Sequence, residues 1–97
     1  MNSVRYKLRV PDELVTVLRS LHPLLKKKVR ASLQSVCSDP YSGKVLKDEL
    51  EGLRSYRVGR LRIVYRIGLR KQIEIVAIGP RKNIYQETFR LLRKKSD

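Results

Sequence analysis

Arginines at 57, 62 and 66 are spaced to share one side of an extended chain. Over residues 61–67, Leu61, Ile63, Tyr65 and Ile67 have one parity, and Arg62, Val64 and Arg66 the other. Side chains of a strand alternate between its faces, so this segment has an apolar side and an arginine side. Just before it, Tyr56 and Val58 oppose Ser55 and Arg57. If the apolar sides meet a core, Arg57, Arg62 and Arg66 share one open sheet face. Arg81, Lys82 and Tyr85 follow the next strand candidate. Arginine offers a planar fork to phosphate, and tyrosine a ring that stacks on a base. The chemistry predicted from these residues is recognition of a phosphate and a base.

Other chemistries find little material. His22 is the single histidine and Cys37 the single cysteine. An intramolecular disulfide framework and a zinc site are therefore excluded, and neither metal nor cofactor is expected. A serine or cysteine nucleophile paired with histidine would have to use His22, which sits beside Pro23 and reads as a loop residue. Cys37 reads as a small buried hydrophobe. Asp48, Glu49 and Glu51 precede a turn at Gly52 among lysines and read as surface acids. The lysine run at 26–28 reads as a solvated helix face. Taken singly, Arg62 and Arg66 are a solvated strand face and Tyr85 a helix residue on the core. Only their combination points to a site.

The elements that must position these residues can be read from periodicity. Residues 4–10 alternate, with Val4, Tyr6, Leu8 and Val10 on one face, which predicts a half-buried strand. Pro11 and Asp12 open a helix in which Leu14, Val17, Leu18 and Leu21 keep helical spacing. His22-Pro23 breaks it, and a second helix is predicted over about 24–36 with Leu25, Val29, Leu33 and Val36 as its apolar stripe. The pair reads as a helical hairpin. Residues 39–43 are a turn-rich loop. Strands are predicted over 53–58, 61–67 and 72–78, joined by turns at Gly59-Arg60 and 68–71, as a meander. In the last strand Ile73, Ile75 and Ala77 alternate with Glu74, Val76 and Ile78, so both faces are nearly apolar and the strand is central. A closing helix over about 84–93 turns inward either Ile84, Thr88 and Leu91 or Tyr85, Phe89 and Leu92. The order β-α-α-β-β-β-α predicts an α+β fold with helices packed on an antiparallel sheet.

Length and charge agree with that reading. At 97 residues one domain covering 1–97 is expected. No apolar run reaches the roughly 20 residues that span a bilayer. The first ten residues hold no apolar stretch of signal-peptide length, so a cytoplasmic protein is expected. The net charge is +14, from 23 basic and 9 acidic side chains. Residues 54–95 hold 13 of the basic and only 2 of the acidic ones. Mixed charge suffices for solubility, whereas a one-signed field suits a polyanion or an acidic protein.

The stretch LKDELEGLRSYRVGRLRIVYRI, followed by IEIVAIGPRKNIY, resembles the RelE/ParE toxin family of prokaryotic toxin–antitoxin systems. The resemblance rests on Leu50 to Leu53, Tyr56 to Gly59, Arg62 to Tyr65 and Gly79 to Tyr85 as a set. It implies a microbial-ribonuclease-like fold with a four-stranded antiparallel sheet. It also implies a toxin held inactive by a cognate acidic, RelB-like antitoxin in a hetero-oligomer. The family has two branches. RelE-like members enter the ribosomal A site and cleave mRNA there. ParE-like members inhibit DNA gyrase and lack the ribonuclease residues. For the first branch, the resemblance implies Arg62 and Arg81 as the arginines that stabilise charge at the scissile phosphate. Tyr85 would orient the base and take part in proton transfer. Arg57 stands where the family has one strand lysine, and Gly59 where it has a second. Arg60 or Lys47 could replace that lysine by approach in space, and Arg66 and Lys82 would complete the RNA-binding set. The reading is therefore a ribosome-dependent mRNA endonuclease. A ParE-like gyrase inhibitor and a non-catalytic RNA- or ribosome-binding module stand behind it.

Overall fold

Alternation in the second half of the chain builds the sheet, and its register decides which side chains share a face. The computed structural model describes residues 5–96. In chain order the elements are β1 (Lys7–Arg9), α1 (Asp12–Arg19), α2 (Pro23–Ser38), β2 (Lys44–Val45), β3 (Arg54–Val58), β4 (Leu61–Gly68), β5 (Gln72–Pro80) and α3 (Ile84–Ser96). The sheet runs β1-β5-β4-β3-β2. Its class is α+β, but it is five-stranded and mixed rather than four-stranded and antiparallel. β2 adds a two-residue antiparallel edge on β3, too short to leave a period in the sequence. β1 lies parallel to β5, with Leu8 beside Ile73. Alternation reveals a strand but not the direction of its partner. The long chain between β1 and β5 supplies the crossover that a parallel pair needs.

The strand expected over 4–10 is confined to Lys7–Arg9, and Val4 lies outside the described residues. Leu8 is exposed, while Tyr6 and Val10 on either side of β1 pack on the core. Charged Lys7 and Arg9 suit an edge. Helix α1 places Asp12 and Glu13 in its first turn and Arg19 in its last, each favourable to the helix dipole. Pro23 begins α2, and His22 caps it by accepting the Leu24 N–H at Nδ1, 3.2 Å away. His22 is thus committed to a helix end.

Two apolar clusters cover the two faces of the sheet. On one face Ile63, Tyr65, Ile73 and Ile75 meet Val29, Leu33 and Val36 of α2, with Leu14, Leu18 and Leu21 alongside. Val17, expected on that stripe, is exposed. On the other face Val64 and Ala77 meet Ile84 of α3, together with Leu46 and Leu53. α3 therefore lies on the face that carries the arginines, and that face is only partly open. Its inward stripe combines the two expected ones: Ile84 and Thr88 are buried, and Tyr85 and Leu92 pack beside them. Leu91 and Phe89 remain exposed.

β4 alternates as expected, but β5 does not. Val64 pairs with Ala77 and Tyr65 with Ile75, which leaves Val76 as an extra residue in β5. This bulge moves Ala77 off the face of Ile73 and Ile75, and Ile78 takes its place there. Both faces of β5 are consequently apolar without strict alternation. Gly79 then falls opposite Arg62.

Candidate nucleic-acid interface

Arg57 on β3 and Arg62 on β4 are direct cross-strand partners. Residues so paired have side chains on the same face about 5 Å apart at Cβ, and like charges there are destabilising. Neither guanidinium is neutralised. Among the described residues the ion pairs are Arg66 with Glu74 and Arg90 with Glu87. Instead each arginine is held by an uncharged acceptor. Arg57 donates from Nε to the Gly59 carbonyl at 3.2 Å, and Arg62 from Nη1 to Ser55 Oγ at 3.0 Å. On the other side of Arg62 the partner is Gly79, over which Ile84 of α3 packs so closely that a Cβ there would meet its Cδ1 at 3.2 Å.

The turns at this end of the sheet bring in more positive charge. Gly59 and Arg60 form the β3–β4 hairpin turn, with Gly59 at φ +60°. A two-residue hairpin turn needs a positive φ at its first position, and glycine reaches it without strain. The lysine that the family resemblance implies at this place is therefore disfavoured by backbone conformation rather than by crowding, since a Cβ there would meet open space. The Arg81 N–H donates to the Arg60 carbonyl at 2.9 Å, which ties the segment after β5 to this turn. The result is a cleft of about 470 Å³ lined by Arg57, Gly59, Arg60, Pro80, Arg81 and Lys82. Four cations and no acid line it. With Arg62 at its border it can hold the phosphates of a nucleic acid by charge-assisted forks.

A profile of the ParE toxin family of type II toxin–antitoxin systems, parDE, matches residues 4–85. The chain belongs to the RelE/ParE toxins. Among solved structures, the toxin resembles a RelBE toxin–antitoxin complex from Mycobacterium tuberculosis, at 28% identity and TM-score 0.71. That match covers 80% of this chain and 100% of the other. A RelE mutant from E. coli in the free state matches at TM-score 0.74 and 16% identity, covering 94% of this chain and 97% of the other. An archaeal RelE–RelB complex from Pyrococcus horikoshii matches at TM-score 0.65 and 24% identity, over 79% and 96% of the two chains. No curated protein matches the sequence significantly.

Within this toxin fold the expected site residues separate into groups. Arg57, Arg60, Arg81 and Lys82 share the cleft, and Arg62 borders it. Arg66 does not join them. It lies about 13 Å along β4 from Arg62, from the strand rise. It pairs with Glu74, 3.3 Å away. Lys47 lies outside the cleft lining, exposed before the turn at Asp48–Leu50. Tyr85 packs in the second cluster, and its hydroxyl is buried with no hydrogen-bond partner among the described residues. Ser55 was not among the expected site residues. The available signal was a serine on a strand face otherwise carrying arginine. Cys37 is half-buried, and burial raises its thiol pKa, with Arg5 pulling the other way, so it is no ready thiolate. Among the described residues no group of His, Cys, Asp and Glu could hold a metal ion, and no helix is long and apolar enough to cross a membrane.

Proposed function

We propose that this toxin cleaves mRNA on the ribosome, binding the RNA backbone at the cleft between the β3–β4 turn and the segment after β5. The observation that carries the reading is the unneutralised cross-strand pair Arg57–Arg62 opening onto Arg60, Arg81 and Lys82. Such a pair is unfavourable when empty and is relieved by an anion between the two guanidinia. In this reading Arg62 and Arg81 stabilise the charge that develops on the phosphate as the 2′-oxygen attacks phosphorus and the 5′-oxygen leaves. Arginine stays protonated and does not remove the 2′-proton. Tyr85 is the candidate for that proton transfer. To act, its hydroxyl must come out of the cluster under α3, where it has no partner to lose. The ribosome supplies substrate positioning, a large share of such catalysis. A cognate acidic antitoxin, matching the partners in the RelE–RelB relatives, holds the toxin inactive by covering this positive surface.

Two observations favour a second reading, a ParE-like toxin that binds DNA gyrase without cutting RNA. The matching profile is that of ParE, and the tyrosine hydroxyl is buried. Primer extension on a defined mRNA, with ribosomes presenting an empty A site, separates the two. The expected result is ribosome-dependent cuts in the A-site codon that fall by about 10²-fold for Arg81→Ala, the scale of losing one donor to a developing oxyanion. Absence of cuts from a folded, growth-inhibiting protein overturns the first reading. Inhibition of gyrase supercoiling by the same sample establishes the second.

A further inference from the structure

We propose that Ser55 is the positioning residue for Arg62, a role that rests on the phosphate-binding reading above. Among the described residues the buried polar side chains other than tyrosine are Ser55, 2% exposed, and Thr88. Thr88 satisfies itself within α3 by donating to the Ile84 carbonyl at 2.7 Å. Ser55 has no such local partner. It stands on β3 between Lys44 of β2 and Val64 of β4, at a place on the second face where a valine would complete the cluster. Its hydroxyl oxygen instead accepts the Arg62 Nη1–H at 3.0 Å.

The choice of acceptor has a chemical consequence. A carboxylate at this position would orient Arg62 but would also neutralise it and compete with phosphate. A serine hydroxyl orients the guanidinium and leaves its full charge. It also occupies only one donor of the planar fork, so the rest stay available to an anion. The bond fixes a long rotatable side chain before the substrate arrives, and such prior ordering speeds a reaction. It further draws Arg62 diagonally toward Ser55 while Gly59 holds Arg57, so the paired guanidinia have separate anchors.

The test compares Ser55→Ala, Ser55→Thr and Ser55→Cys, each alone and in an Arg62→Ala background. Thermal melts first identify which variants remain folded. Cysteine keeps the volume of serine with a much weaker acceptor, so it carries the test if alanine fails to fold. The Arg62 Nε–H resonance reports side-chain order directly. Affinity for a 2′-O-methyl RNA trinucleotide, which cannot be cleaved, reports phosphate binding. Steady-state cleavage on programmed ribosomes reports kcat and KM separately. Ser55→Cys is expected to broaden the Arg62 resonance and to weaken RNA affinity about fivefold. It should lower kcat about tenfold, with KM rising by less than the loss of trinucleotide affinity because the ribosome also holds the substrate. Ser55→Thr should restore all three, and neither change should matter once Arg62 is alanine. An unchanged Arg62 resonance, or an equal loss in the Arg62→Ala background, overturns the assignment. If the wild type does not cut RNA, the proposed function fails by itself, while the resonance and the trinucleotide affinity still decide the role of Ser55.

Discussion

Two kinds of polar side chain sit in this sheet, and they differ in what they are bonded to. Arg57 and Arg62 are held by neutral acceptors and keep their charge. Tyr65 is fully buried on the opposite face, where its hydroxyl donates to the Pro40 carbonyl at 2.7 Å and accepts the Gly43 N–H at 3.0 Å. It thereby pins the loop between α2 and β2 to the sheet. Burial raises its pKa above 10.0, although the Gly43 N–H and Arg54 pull it down. The ionised form is disfavoured in the folded protein. The stabilising contribution is therefore complete below the unfolded pKa near 10 and is lost as pH rises through the higher folded value. Urea denaturation of Tyr65→Phe at neutral pH should show a loss of roughly 1–3 kcal/mol, because two buried backbone groups lose their partner. A wild type that loses stability above pH ~10 while the variant does so less steeply would tie the alkaline transition to this tyrosine. Identical pH profiles for the two proteins would detach it.

At the scale of elements, the β3–β4 hairpin shows what a sequence reveals and what it hides. The alternation that set Arg62 and Arg66 opposite Ile63 and Tyr65 was legible, and so was the turn at Gly59-Arg60, because both follow from period and turn chemistry. The reach of the site along the sheet was not. Arg57, Arg62 and Arg66 share a face, yet Arg66 is drawn off by Glu74, a partner set by the pairing of β4 with β5. The β5 bulge was hidden too, since an apolar strand with two buried faces has no parity to break. The sequence left open whether the stripe of Ile84 or that of Tyr85 turns inward, because that depends on where α3 lands, and the structure buries parts of both. The glycine of the turn offers a direct test. Gly59→Lys introduces the lysine that the family resemblance implies here, at φ +60° with no atom within 4 Å of the new Cβ. Its cost is backbone strain of about 1–2 kcal/mol, read as a lowered melting temperature with the fold kept. The added charge at the cleft should tighten binding to single-stranded RNA and steepen its salt dependence by about 0.7 in the log–log slope. Tighter binding with an unchanged slope would mean that the lysine does not reach the phosphates.

For the whole molecule the question is whether the +14 charge acts as a field or through one place. Residues 54–95 carry 13 basic side chains, but only Arg57, Arg60, Arg81 and Lys82 line the cleft, with Arg62 at its border. Others point elsewhere in function: Arg66 and Arg90 are paired with glutamates, and Arg54 lies over the Tyr41 ring, 5.0 Å from its centre. Counterion release turns this difference into a measurement. Each phosphate neutralised on a single strand contributes about −0.7 to the slope of log affinity against log salt concentration. Five cations at the cleft give about −3.5, whereas engagement of the whole basic half would give about −9. We expect the smaller slope for a short non-cleavable RNA, and a reduction by about 0.7 for each of Arg57→Ala, Arg62→Ala and Arg81→Ala. Arg66→Ala and Arg90→Ala should leave it unchanged. A slope near the larger value, insensitive to the cleft variants, would show that the toxin meets polyanions as a diffuse positive surface. The arginine pair of the sheet would then have no privileged part in binding.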